Sequence, residues 1–465
     1  VTRIPPAAIA PAAILPVAIL PVTGVALVAL IGAGQSLHGD AELRIGSDTT
    51  LMWFVAMQMA AVAIYFVAVA GVLRGRPARF ELGWVLAVAV AMRVIPLCGA
   101  IFLSSDLFRY IWDGRVQLAG INPYQYLPID PTLEHLRDTA IFSHVSRASY
   151  ARTIYPPMAQ VVFLAVAWIS QTPEAMRLAM VAFEALAVAA LARALALRGE
   201  RPGRVLIYAW NPLAVWEFAG NGHVDAIAIG LLAVALLLRT LPPRAVSPVG
   251  TRLIGTRLIG TGVALAAATL VKFLPVVAAP ALWRRGDWRA PLAGCATIAI
   301  LYACYAGAGW HVFGFASGYA DEEGMADGSG IWVLAGLSRL IDLPAEAGLG
   351  WAALVGLGFA AATLWLARHP AADPARAAAW MMLAVMLALS PHYPWYYPWL
   401  AVPAVLAPVR ASIWLGSAAL LLYLSPLHER FIWPALLYVP ALVLACLDLR
   451  RALAPAPTLA LATGQ

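Results

Sequence analysis

The sequence predicts an all-α protein that crosses a membrane repeatedly, on about 12–14 helices. Three observations carry this. Hydrophobic residues make up 62% of the 465 and charged residues only 12%, against roughly 25% charge in a soluble domain, and the mean hydropathy is +0.80. Apolar runs of about 18 or more residues recur from end to end, each long enough for a hydrocarbon core of roughly 30 Å. The arginines collect in short segments between those runs, as in cytoplasmic loops of membrane proteins. No stretch the size of a soluble domain interrupts the pattern, so residues 1–465 read as one integral-membrane domain.

The elements follow in order. The first apolar run, near 14–34, holds several prolines; it is too long for a signal peptide and lacks a small-residue cleavage site, so it reads as a proline-kinked membrane helix. Helices near 51–73 and 82–103 flank the basic loop "RGRPAR" (74–79). A polar stretch of about 70 residues (104–173) comes next, and loops of that length are usually functional. Helix 174–197 ends at the basic "RGERPGR" (198–204), after which 205–219 and 223–240 turn at the outside. The loop 242–257 is basic again. Segments 259–271 and 273–283 form a tight hairpin, followed by "RRGDWR" (284–289) and helix 290–308. A second outer loop (309–346) precedes helices near 347–367, 376–390, 395–409, 411–425 and 430–449.

Placing the basic loops in the cytoplasm puts both termini inside and the segments 35–50, 104–173, 220–222, 309–346, 390–394 and 425–430 outside. The apolar "YPPMAQVVFLAVAWIS" (155–170) resists this scheme. Counted as a span, it would turn "RGERPGR" outward, so it reads as a surface or re-entrant helix. Cys98, Cys295, Cys304 and Cys446 sit in apolar segments without pairing or metal spacing and read as packing residues. The net charge of +7 is scattered and forms no stripe, which argues against a nucleic-acid partner. The tandem "TRLIGTRLIG" (251–260) is too short for a repeat architecture. The acidic "YADEEGMADGSG" (319–330) reads as a solvated loop.

This topology sends polar clusters to one outer face. The longest, "SSDLFRYIWDGRVQLAGINPY" (Ser104–Tyr124), is joined there by "TIYPP" (153–157), "WNPLAVWEFAGNGHVDA" (210–226), "ATLVKFLP" (268–275) and "LSPHYPWYYPW" (389–399). Polar residues at membrane depth are costly, so each is a candidate for function. Asp106 is either a helix-end cap or a general base, which needs a carboxylate within reach of a reacting hydroxyl. Asp113 lies two helical turns on, on the same face if the stretch is helical, and pairs readily with Arg109 or Arg115. Lys272 is the one lysine beside thirty arginines. It either snorkels to the interface or serves as a point cation for phosphate. His223 and Asp225, two apart, do not match a helical metal pair and read as capping or substrate contacts. His392 reads as packing or ligand contact. The aromatics around it fit an interfacial belt as well as a sugar platform.

Taken in order and spacing, "DLFRYIWDGRVQLAGINPYQYLP", "YPPMAQ", "WNPLAVWEFAGNGHVDAIAIGLL", "VKFLP" and "SPHYPWYYPWL" resemble the GT-C membrane glycosyltransferases, most specifically the polyprenol-phosphate-mannose-dependent mannosyltransferases. The resemblance runs from about residue 100 to 400. It implies that Asp106, at the start of the first long outer loop, is the catalytic base, with Tyr110 and the "GINPY" segment (120–124) at places the family commonly carries. Arg109, Tyr110, Arg115, Lys272 and His392 become candidates for the donor phosphate and sugar. Asp113, Asn122, Tyr124, Tyr155, His223, Asp225, Tyr393, Trp395 and Tyr396 become possible substrate contacts. The implied reaction moves a hexose, most plausibly mannose, from a polyprenyl-phosphate donor to a lipid or glycan hydroxyl, with inversion. It takes place at the outer face of a bacterial inner membrane, amid membrane lipid. It needs no cofactor and no metal, because only a lipid monophosphate departs. An O-antigen-type polymerase or ligase, and a lipid-linked sugar transporter or flippase, are the alternatives. The absence of an internal repeat argues against a transporter.

Overall fold

The computed structural model describes residues 19–37, 48–77, 79–241, 248–427 and 431–453. The described residues form helices and turns and no β-strand. The chain opens with α1 (Ile19–Ser36), α2 (Asp48–Arg74) and α3 (Glu81–Leu97). An amphipathic α4 (Asp106–Leu118) and a short apolar α5 (Pro157–Ile169) follow, and then the long α6 (Pro173–Leu197). Among the described residues five helices are long and apolar enough to cross a membrane: α1, α2, α6, Ala347–Arg368 and the C-terminal helix over Ile432–Arg451. A sixth candidate is the pair Arg289–Ala303 and Ala306–Glu322, bent by 109°. This is an all-α polytopic membrane protein.

Several expected spans are shorter or broken, for local reasons. The stretch 205–219 divides at Asn211–Pro212, because a residue before proline is pushed out of the helical region. Asn211 sits at ψ 114° and caps the next turn, its side chain accepting from the Leu213 amide at 3.0 Å. A π-turn (Val215–Gly220) then leads into the helix Asp225–Thr240. Prolines 394, 398 and 403 likewise reduce 395–409 to 3-10 turns and a short helix, Ala401–Leu406. In the other direction, the helix Pro248–Thr269 begins well before 259 and takes in the tandem sequence expected in a loop. Residues 14–18 of the first expected helix, most of the outer segment 35–50, and 242–247 of the basic loop lie outside the described residues. All four cysteines are free and exposed, which corrects their assignment to packing: they lie on the outside of the bundle.

The length of α5 bears on the whole topology. Thirteen residues span about 20 Å, short of the roughly 30 Å hydrocarbon core. Crossed backbones hold it in place: a Cβ on Gly114 of α4 would fall 2.5 Å from the Phe163 carbonyl oxygen of α5, so only glycine permits this approach. The Met158 amide also donates to the Leu270 carbonyl at 3.0 Å, tying α5 to the turn that carries Lys272.

The basic loops gather at one end. Arg198 pairs with Asp373 at 2.9 Å, Arg201 bonds Glu81 and the Gly75 carbonyl, and Arg204 donates to the Val405 carbonyl at 2.6 Å. Glu81 starts α3 and Asp106 follows its far end, so the helix length separates this cluster from Asp106. Between them, Arg93 of α3 and Glu184 of α6 form a buried ion pair at 2.7 Å, with the Tyr208 hydroxyl donating to Glu184. Pairing makes charge tolerable at that depth. A cysteine scan in a background lacking the four native thiols tests the orientation. Cysteines at Gly199 and Ala372 should resist an impermeant reagent in intact cells and those at Ala140 and Ser329 should react; the opposite pattern would overturn it.

Candidate active site

A cavity of about 560 Å³ opens at the end of the bundle opposite the basic loops. Its walls come from the lead-in to α4 (Phe102–Asp106), the loop 143–147, Tyr155, Lys272, Tyr319, Tyr393, Trp395 and Tyr396. Asp106 is the first residue of α4, and its amide donates to Ser104 Oγ at 3.2 Å. The positive end of a helix dipole favours a carboxylate there. Burial nevertheless dominates and pushes the Asp106 carboxyl above the usual aspartate range; Lys272 and Arg147 pull it back only in part, and Asp225 adds to the rise.

Lys272 occupies the turn after the helix Pro248–Thr269. Its ammonium donates to Asp225 Oδ2 at 2.7 Å, while Trp399 Nε1 donates to Asp225 Oδ1 at 2.9 Å. Both oxygens of this buried carboxylate are thus used. The ammonium also lies 4.1 Å from the Tyr396 ring centroid and 6.0 Å from that of Trp395. Burial works against the lysine charge, but Asp225 and its neighbours outweigh it and the pKa sits above the ordinary value. A fixed ammonium therefore faces the same cavity as Asp106. Trp395 stacks on Tyr393 at 4.4 Å and meets the edge of His223 at 4.1 Å.

Arg147 is a cavity cation that the sequence did not reveal. It adopts φ 57°, a left-handed conformation that costs a non-glycine residue energy and clusters at functional sites. Its Nε donates to Glu322 Oε2 at 2.8 Å, and its guanidinium carbon lies 5.9 Å from the Tyr319 ring centroid. Tyr319 and Tyr396 pair through their hydroxyls at 3.2 Å. The acidic run 319–330 is therefore more than a solvated loop, since Tyr319 walls the cavity and Glu322 holds Arg147. No local pattern signals a contact between residues 175 positions apart.

The other expected residues divide. Tyr155, Lys272, Tyr393, Trp395 and Tyr396 line the Asp106 cavity. Arg109 and Asp113 lie buried behind it: Arg109 Nε donates to Asp113 Oδ1 at 2.8 Å, and Gln160 Nε2 donates to Asp113 Oδ2 at 3.0 Å. Arg115 faces away, bound to Asp138 at 2.7 Å and to Gln171. Tyr110 stacks on Phe163 at 4.8 Å and supports Tyr155 from below. Asn122 and Tyr124 brace loops, donating to the carbonyls of Tyr305 and Tyr155 at 3.1 and 2.6 Å. His223 is buried behind Trp395, and His392 lies in a neighbouring cavity, 3.3 Å from Glu323. Among the described residues no three His, Cys, Asp or Glu side chains gather as a metal site.

The model of one protein family, described as alpha-(1->6)-mannopyranosyltransferase, N-terminal domain, matches residues 17–284, more than half of the chain. The matched stretch includes Asp106, Arg147, Tyr155, Asp225 and Lys272. No curated protein and no solved structure matches the chain.

Proposed function

The chain belongs to the alpha-(1->6)-mannopyranosyltransferase family and is a GT-C-type membrane mannosyltransferase; from that premise we propose that the Asp106 cavity takes its mannose from a polyprenyl-phosphate donor. The observation that carries the proposal is one cavity walled by a carboxylate, Asp106, and by two cations, Lys272 and Arg147. In this reading the acceptor hydroxyl attacks the anomeric carbon, Asp106 takes its proton, and the bond to the phosphate oxygen breaks. Lys272 and Arg147 stabilise the charge that develops on the departing polyprenyl phosphate, the kind of electrostatic preorganisation that lowers barriers most. A single displacement inverts the anomeric centre, so an α product requires a β-linked donor. The family's linkage makes the acceptor a 6-hydroxyl. The site faces the outside, at the end away from the basic loops, in a bacterial inner membrane with both termini cytoplasmic.

Purified protein supplied with polyprenyl-phospho-mannose and a mannoside acceptor should release polyprenyl phosphate. It should do so equally well in EDTA, because the two side-chain cations do the work of a metal. Transfer from a nucleotide-activated mannose alone, or loss of transfer in EDTA, would sink this reading.

A further inference from the structure

The basic end of the bundle holds a pocket of its own, of about 280 Å³. Arg198, Arg239, Arg284 and Asp373 line it, with Leu236, Thr240 and the start of the helix Pro374–Leu389. We propose that this pocket binds a phosphate group. The proposal stands apart from the mannosyl-transfer reading, which concerns the Asp106 cavity at the other end.

The charges around the pocket do not cancel. Arg198 engages Asp373 at 3.2 and 2.9 Å and Glu200 at 2.9 Å, and Glu200 also pairs with Arg204. Two arginines thus meet two carboxylates, and that group is neutral. Arg239 and Arg284 remain, and among the described residues neither has an ion-pair partner. The charge of Arg284 opposes that of Arg239 more than the nearby Asp287 relieves it. Asp287 lies outside the lining, and its Oδ1 accepts the Arg289 amide at 3.1 Å. An anion in the pocket relieves the repulsion between the two guanidinium groups.

Local structure holds both cations in place. Arg239 stands in the last turn of the helix Asp225–Thr240, and its Nε donates to the Leu282 carbonyl at 2.8 Å. Arg284 opens a tight turn: the Asp287 amide donates to its carbonyl at 3.0 Å, and Gly286 takes φ 85°. The Trp283 indole closes that turn by donating to the Asp287 carbonyl at 2.8 Å.

The donors specify the ligand class. A guanidinium fork takes two oxygens of a carboxylate or a phosphate. One fork fills a carboxylate, whereas a phosphate keeps further oxygens for a second fork. Two unpaired forks on separate elements therefore select phosphate. The volume lies below the range of about 300–1,000 Å³ typical of small-molecule sites, which suits a phosphate with a small substituent and not a whole nucleotide. Basic pockets between helices at a membrane surface take lipid headgroups by the same chemistry, so a phospholipid and free phosphate present the same group.

The test titrates the detergent-solubilised full chain with two probes and reads affinity from the melting temperature. One is inorganic phosphate, against chloride at equal ionic strength; the other is phosphatidylglycerol, against phosphatidylcholine, in mixed micelles. Saturable stabilisation by phosphatidylglycerol alone identifies a lipid headgroup as the ligand, and stabilisation by inorganic phosphate as well identifies a site for the free ion. Affinity for the stabilising probe should fall about tenfold in Arg239→Gln and in Arg284→Gln. Arg284 is exposed, so its variant tests the site without disturbing the packing. Arg285→Gln removes an exposed charge of the same loop from outside the pocket and should stay within about twofold of wild type. The proposal is overturned if neither probe stabilises the wild type saturably, if Arg284→Gln binds as well as wild type, or if Arg285→Gln loses as much affinity as Arg284→Gln.

Discussion

Asp106→Asn is expected to lower turnover by about 10²–10⁴-fold, the usual contribution of a positioned general base. Donor affinity should change little, since asparagine keeps the size of the side chain and the two cations remain. Stability gives a separate check. Burial raises the folded-state pKa of Asp106 above its ordinary value, so the charged form is disfavoured by folding. Stability is therefore lost as pH rises from the unfolded to the folded pKa, and at neutral pH the charge opposes the fold. The asparagine variant should thus unfold at the same temperature or higher while turning over poorly. Ordinary turnover in that variant would remove Asp106 from the reaction. The acid limb of the pH profile of kcat/KM should likewise lie above the range of an ordinary aspartate, because only the deprotonated carboxylate accepts a proton. Removing Lys272, which holds that pKa down, should move the limb further up.

Lys272 carries the second large effect, and it has two parts. Lys272→Met leaves Asp225 buried with its Oδ2 unpaired. Breaking a buried ion pair by removing one partner costs about 3–5 kcal/mol, so the variant should be markedly less stable and its donor KM should rise. The double variant Lys272→Met/Asp225→Asn removes the orphaned charge and should recover most of the stability. If Lys272 holds the donor phosphate, the double variant stays defective toward donor. If Lys272 serves only to neutralise Asp225, donor KM returns to normal along with the melting temperature.

Much of the fold was legible because membrane insertion leaves a coarse signal. Apolar runs of sufficient length and arginine-rich loops are statements about solvent, which each segment meets independently of its partners. The helices α1, α2, α6 and Ala347–Arg368 were visible in that way. The segment 155–170 was the harder case. Its apolar character suggested a span, and only the positions of the basic loops argued otherwise; the thirteen residues of α5 agree with the loops.

By itself, then, the sequence determined the class of the protein and set apart Asp106, Lys272 and the 393–396 aromatics as one group of candidates. Only the tertiary structure separated residues that look alike along the chain. Arg109, Arg115 and Arg147 are chemically identical, yet Asp113 claims the first, Asp138 and Gln171 the second, and the cavity wall the third. His392 was grouped with the phosphate cations but stands in the adjacent cavity beside Glu323. The physical reason is that a charge takes its role from its partner: Asp113 lies one turn along the same helix as Arg109, whereas Arg115 and Arg147 find theirs on distant segments, Gln171 at 56 and Glu322 at 175 positions. Hydropathy reports how each segment meets water and lipid. Pairing is decided where segments meet each other.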